Sequence, residues 1–274
     1  MAARTLIARI AFAAAALFAA GSAFAMKDIK MATTTSTDNS GLLQYLLPIF
    51  EADCHCKIHY TAVGTGAALK LGQNGDVDVV LVHARPAENK FVAAGYGVNR
   101  RDVMYNDFVI VGPASDPAGV KGMHDPLKAL KKIHASGATF VSRGDDSGTN
   151  KKELAYWKAI GIKPGGPHYL AIGQGMGATL TVAGEKQAYT LSDRATYTTY
   201  AAKTGLHIMV QGDKKLLNPY GVIAVNPKRY PNINYEGAMT FVKWMTSPRG
   251  QKAIGDYRFK GAQLFHPDYG HPPQ

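Results

Sequence analysis

The sequence predicts an α/β protein with mainly parallel sheets, and three observations carry that expectation. Short β-rich runs alternate with segments at helical spacing along most of the chain. Val77-Asp78-Val79-Val80-Leu81-Val82 is nearly all β-branched or apolar, as in a strand covered on both faces. Val111-Gly112-Pro113 and Asn218-Pro219-Tyr220 each join a strand to a turn signal. If both are crossovers, residues 26–111 plus 220–274 form one lobe and 112–219 the other.

In chain order, Ile29 to Ala32 reads as a strand. Leu42 to Ala52 has Leu42, Leu43, Leu46, Leu47 and Phe50 at helical spacing, with Pro48 predicting a bend. Ile58 to Val63 reads as a strand and Ala67 to Leu71 as a short helix. Phe108 to Val111 is a further strand, followed by a helix near Leu127 to His134 and a strand at Ala138 to Val141. Helices are expected near Lys151 to Ala159 and Met176 to Glu185, then strands at Ala188 to Leu191 and His207 to Gln211. Tyr220 to Val225 is the last long strand. Tyr235 to Met245 and Gly250 to Tyr257 close the chain as helices.

The N-terminus reads as an export signal. Arg4 and Arg9 precede an apolar run from Ile10 to Ala20, and Ala23-Phe24-Ala25 is a small-x-small cleavage site, predicting a cut after Ala25. The run is short for a bilayer core of roughly 30 Å. The expected location is the periplasm. The formal charge of +11 falls to +9 without Arg4 and Arg9. Export argues against nucleic acid as the partner. The absence of a run of five or six basic residues argues against a polybasic membrane anchor. A positive field drawing in a small anion fits both facts, although charge also simply keeps a chain soluble.

Cys54 and Cys56 are the only cysteines, as Cys-His-Cys. A local disulfide is the first reading and free thiols the second. A metal held with His55 and His59 is the third, because the second spaced pair of a zinc site is missing.

Three strand ends carry clusters of small polar donors. They are Thr33-Thr34-Thr35-Ser36-Thr37, Gly64-Thr65-Gly66, and Ser142-Arg143-Gly144-Asp145-Asp146-Ser147-Gly148-Thr149, each leading into a helix. A helix start leaves unpaired backbone N–H groups and about half a positive charge. Glycine lets the backbone approach a ligand, and hydroxyls add neutral donors. Arg143 adds a fork of charged donors. Any one cluster alone reads more readily as an N-cap; three in one chain point to an oxyanion cup. No Gly-x-x-x-x-Gly-Lys-Ser/Thr, Gly-x-Ser-x-Gly or His-Glu-x-x-His motif occurs. The nine histidines show no ligand spacing and read as structural or surface residues. Tyr189 and Arg194, in Tyr-Thr-Leu-Ser-Asp-Arg at another strand end, are further contact candidates, with Ser192 or Asp193 as a helix cap.

These motifs, in order, resemble the tungstate-binding proteins of tungstate ABC transporters (the TupA type). The resemblance runs from Ala32–Thr37 with Ser40-Gly41-Leu42-Leu43 through Ala62–Gly66, Gly75–Asp78, Val82-His83-Ala84-Arg85, Tyr105–Phe108 and Val111–Pro113. It continues through Ser142–Thr149 and Tyr189–Arg194, covering most of the chain after residue 25. It implies a two-lobe periplasmic binding protein of type II, with the anion held between the lobes and no covalent chemistry or cofactor. Contacts would come from Thr34, Thr35 or Ser36, from Thr65 and Gly66, and from Arg143 with Ser147, Gly148 and Thr149. Arg85 is a further candidate or a salt-bridge residue, and Arg194 is another. The implied partners are tungstate or molybdate and a membrane permease, with the protein a monomer and not an enzyme. The Cys-His-Cys stretch falls outside the pattern.

Size would select against sulfate. Phosphate often carries a proton at neutral pH and needs an acceptor such as Asp145 or Asp146, so a phosphate or sulfate receptor stays open as the alternative. An enzyme using Arg143 as an oxyanion clamp is the third reading, without a placed nucleophile–base pair.

Overall fold

The computed structural model describes residues 28–259 and 261–270; the expected leader, residues 1–25, lies outside them. Strand β1 (Ile29–Thr34) lies between β2 (Ile58–Val63) and β3 (Val79–Val82), parallel to both. Helix α1 (Thr35–Asn39) and α2 (Leu42–Cys54) follow β1, and α3 (Thr65–Asn74) follows β2. Helix α4 (Arg85–Ala93) leads from β3 to β4 (Gly97–Gly112), a strand of 16 residues.

Strand β4 is shared between two sets of partners. Its first part, Gly97 to Asp107, pairs antiparallel with β9 (Leu217–Val225), which also pairs with β3. Its last part, Phe108 to Gly112, pairs antiparallel with β7 (Thr190–Asp193) and β8 (His207–Val210). Between these strands lie α5 (Pro126–Ala135), β5 (Phe140–Ser142), α6 (Gly148–Ala159), β6 (Tyr169–Ala171), α7 (Met176–Glu185) and α8 (Arg194–Thr204). Helices α9 (Tyr235–Met245) and α10 (Pro248–Asp256) return to the first sheet. A small ribbon of β10 (Arg258–Phe259) and β11 (Ala262–Gln263) follows, and β12 (His266–Pro267) adds to the edge of β4.

The chain is therefore α/β as predicted, but its sheets are mixed rather than mainly parallel. The reason is that β4 and β9 run antiparallel to each other and to every strand they pair with. The sequence reading missed α4, α8 and the first part of β4. That part carries Asn99, Arg100, Arg101 and Asp102 and lacks an apolar alternation. Pro48 does not interrupt α2.

Each half has its own apolar layers. In the first, Leu42, Leu46 and Phe50 of α2 meet Phe241 and Trp244 of α9 on one face of the sheet, and Ala68, Leu69, Phe91 and Ile223 cover the other. In the second, alternation along β4 sends Phe108 and Ile110 to a layer with Leu130, Phe140, Trp157 and Tyr189. Val109 and Val111 go to one with Val141, Met176 and Leu180. This two-sided burial explains why Phe108 to Val111 reads as an unbroken apolar run.

Cys54 and Cys56 are disulfide-bonded at the end of α2, where His55 adopts a left-handed conformation (φ 53°). His59 pairs instead with Asp28 at 2.9 Å.

Phe50 is fully buried, with its ring 5.0 Å from Phe241 and 5.5 Å from Trp244. Phe50→Ala should cost about 3–5 kcal/mol through lost transfer energy and a residual cavity. Equilibrium urea unfolding checks this; an unshifted midpoint would place the first core elsewhere.

Candidate functional site

The three donor-rich strand ends converge where β1, β2 and β5 finish. Thr34 caps α1, its Oγ1 accepting from the Thr37 N–H at 3.2 Å. Ser147 caps α6 in the same way, accepting from the Asn150 N–H at 3.2 Å. The loop before α6 reaches across to the other two ends. Arg143 is 2% exposed and donates from Nη1 to Ser36 Oγ at 2.9 Å and from Nη2 to Thr35 Oγ1 at 3.4 Å. Thr65 Oγ1, at the start of α3, accepts from the Gly148 N–H at 3.0 Å. The residues brought together are thus Thr34, Thr35, Ser36, Thr65, Gly66, Arg143, Ser147, Gly148 and Thr149.

Charge in this cluster is balanced locally. Asp145 Oδ2 accepts from Arg143 Nη2 at 2.6 Å, and its Oδ1 accepts from the Ser147 N–H at 3.2 Å. Asp146 turns outward to an ion pair with Lys151. Because Ser36 and Thr35 accept from the guanidinium, their own O–H protons remain available to donate. Thr149 Oγ1 is buried without a hydrogen-bond partner. A buried hydroxyl left unmatched at the start of a helix is a feature that a donor site for an anion requires.

Close approach between the ends depends on two glycines. A Cβ at Gly66 would collide with the Asp146 carboxylate, and one at Gly148 would stand 3.0 Å from both Nδ1 and the carbonyl oxygen of His83.

Two further helix starts belong to the same region: that of α7, which the sequence reading did not place here, and that of α8, for which the sequence offers Ser192 or Asp193 as the cap. Gly175, the N-cap of α7, lies so that a Cβ there would be 3.6 Å from Thr35 Oγ1. Thr196 of α8 donates to the Ser36 carbonyl at 3.4 Å, and Asp193 caps α8 by accepting from the Thr196 N–H at 2.8 Å. Burial pushes the Asp193 carboxyl above the usual range, and its Oδ2 has no partner. The signal for α7 was legible in Gly173-Gln174-Gly175-Met176-Gly177, a glycine cluster before a helix.

His83 was read as structural or surface, and it lies at the centre of the site. It is 4% exposed, with Nε2 at 3.1 Å from Thr34 Oγ1 and Nδ1 at 3.1 Å from Asn218 Oδ1. Tyr220 stacks on its ring at 4.7 Å. Burial, and then the positive charge of Arg143, push its pKa down to about 4, so the ring is neutral at pH 7.

The remaining candidates point elsewhere. Arg85 is ion-paired with Asp102. Arg194 is held by both oxygens of Asp107, at 2.6 and 2.7 Å, and by Gln211. Tyr189 lies in the second core, donating to Asp116 at 2.7 Å and accepting from the Ala118 N–H at 3.0 Å. Beyond the His83–Gly148 contact opens a cavity of about 470 Å³, lined among others by Arg85, Phe108, Lys152 and Leu217.

Residues 19–249 match the model of the PBP superfamily domain. The chain is 52% identical over 244 residues to the tungstate-binding protein TupA of Peptoclostridium acidaminophilum, which covers 88% of this chain and 85% of that protein. Two solved structures are similar over most of their length. One is described as the tungstate ABC transporter from Geobacter sulfurreducens: 56% identity, TM-score 0.78, covering 84% of this chain and 98% of that one. The other is the tungstate-binding protein TupA from Desulfovibrio alaskensis G20: 51% identity, TM-score 0.76, covering 89% and 99%.

Gly148→Ala places a methyl group against the His83 ring and backbone, where overpacking costs about 1–3 kcal/mol. The expected outcome is a lower unfolding midpoint together with a larger radius of gyration in solution scattering. Wild-type values for both would show that this contact is not tight.

Proposed function

The chain belongs to the PBP superfamily and, within it, to the family of the TupA tungstate-binding proteins, and from that footing we propose that it captures tungstate or molybdate for an ABC importer. The observation that carries the reading is Arg143, a buried guanidinium that spans from the loop before α6 to the hydroxyls of Thr35 and Ser36 after β1. Around it, Thr34, Thr35, Ser36, Thr65, Gly66, Ser147, Gly148 and Thr149 supply the donors, and Arg85 and Arg194 serve as salt-bridge residues. No cofactor takes part, and no bond of the ligand is made or broken.

The lobes are residues 26–111 plus 220–274 and residues 112–219. The hinge lies close to those boundaries, where β4 and β9 pair Asn106 with Asn218 and Asp107 with Leu217. In the open form the donors face water. Closure brings them onto the four oxygens of a dianion, and because that gain exists only in the closed form, the ligand shifts the population towards it. The residue 1–25 leader directs export to the periplasm and is cut after Ala25. The closed monomer then docks on a membrane permease driven by a separate ATPase. Nucleic acid plays no part.

Selectivity follows from the donor set. Asp145 has both oxygens engaged by Arg143 and the Ser147 N–H, so it is poorly placed to accept the proton of monohydrogen phosphate. A fully ionised tetrahedral anion needs only donors, and a cup shaped for tungstate or molybdate leaves the smaller sulfate under-contacted.

Calorimetric titration of anion-free protein with tungstate, molybdate, sulfate and phosphate tests this. Tungstate and molybdate should bind at least a hundredfold more tightly than the other two. Arg143→Glu should abolish tungstate binding while circular dichroism stays native. Unchanged affinity in that variant, or no heat with any of the four anions, would sink the reading. Tungstate at a hundred times Kd should also add about 2.7 kcal/mol to the stability of the wild-type protein.

A further inference from the structure

The hinge and the anion cup are joined by an unbroken hydrogen-bonded path. Asn106 of β4 and Asn218 of β9 are register partners where the two long strands pass between the halves. Asn218 Nδ2 donates to Asn106 Oδ1 at 2.7 Å. That leaves Asn218 Oδ1 facing His83 Nδ1 at 3.1 Å. An amide oxygen only accepts, so His83 Nδ1 carries the proton. In a neutral ring Nε2 is then bare, and the group 3.1 Å from it, the Thr34 hydroxyl, must donate. Thr34 Oγ1 in turn accepts from the Thr37 N–H at 3.2 Å and from the Thr37 hydroxyl at 2.8 Å. Each contact along the path thus has one direction, and the path ends at Asn106, whose Nδ2 is buried without a partner. All its side chains are at least nine-tenths buried, so water does not substitute for a missing partner.

We propose that His83 is a positioning residue for the anion site, fixed as its Nδ1–H tautomer by the hinge pair Asn218 and Asn106 and thereby setting the direction in which Thr34 caps the first helix of the cup. This role rests on the oxyanion reading above. With Thr34 held as the cap, the first-turn N–H groups of Thr35 and Ser36 and their hydroxyls are left for the ligand. Because His83 also packs against Gly148 across the cleft, the same ring touches the hinge strands, the cap of α1 and the start of α6. Hinge alignment and cup geometry are therefore set together. Turning over both amides would make Asn218 donate to His83 Nδ1 and put the proton on Nε2, which makes the direction measurable.

The experiment is nitrogen-15 NMR of histidine-labelled protein, with tungstate titration of two variants that make one chemical change at neighbouring positions. Wild-type His83 should show a protonated Nδ1 and a bare Nε2. Asn106→Asp keeps the oxygen that accepts from Asn218 and should keep that tautomer. Asn218→Asp removes the donor to Asn106 and sets a carboxylate against the ring, so both nitrogens should become protonated. Its tungstate affinity should fall tenfold or more, and further than that of Asn106→Asp. Wild-type protein that binds tungstate but shows a protonated Nε2 overturns the proposal while leaving the oxyanion reading intact. An equal fall in the two variants does the same. Wild-type protein that binds no tungstate overturns both. If either variant fails to fold, the wild-type spectrum alone decides the direction of the path.

Discussion

The constraint on which the rest of the site depends is the burial of Arg143. A guanidinium taken out of water is costly unless its donors are matched. Here Asp145 supplies the countercharge from the same loop, while Ser36 and Thr35 supply neutral acceptors from across the cleft. The second set of partners is the consequential one. It ties the loop before α6 to the start of α1. A cation anchored wholly within its own loop would add charge to the cup without linking the halves.

The link has mechanical support behind it. Strand β4 pairs with β9 in its first part and with β7 and β8 in its last, and the β4–β9 ladder ends at Asn106–Asn218 and Asp107–Leu217. A two-strand ladder bends more easily than a packed layer, because few apolar contacts are lost when it flexes. Glycines at positions 66 and 148 let the helix starts close on one another without a methyl group in the way.

Much of this was legible in the sequence. The helix starts stood out because Thr33–Thr37 and Ser142–Thr149 concentrate hydroxyls, glycine and one arginine at strand-to-helix turns. Strands such as Val79–Val82 and Phe108–Val111 stood out because burial on both faces removes polar residues. What was hidden was long-range pairing. Nothing local to Gly97–Asp107 announces a strand, since its polar residues are satisfied by distant partners, as Arg100 is by Glu88. Arg85 and Arg194 look like ligand residues until Asp102 and Asp107 appear beside them. His83 fails in the opposite sense. A lone histidine after an apolar strand reads as inert, and only the asparagine 135 residues away gives its ring a direction.

The electrostatics of the cup explain why it is built mostly from neutral groups. Arg143 and Asp145 cancel to zero net charge. The helix starts gathered here each bring partial positive charge, which opposes the charge of a dianion without further arginines. Dipoles of this kind are held rigid by their helices, so they need little reorganisation when the anion arrives. A cup lined instead with several free lysines would bind any dianion, with little regard to size or protonation. Matching a doubly charged ion with fixed N–H groups and hydroxyls ties affinity to the position of each oxygen, and that is how a site made of peptide backbone can distinguish one oxyanion from another.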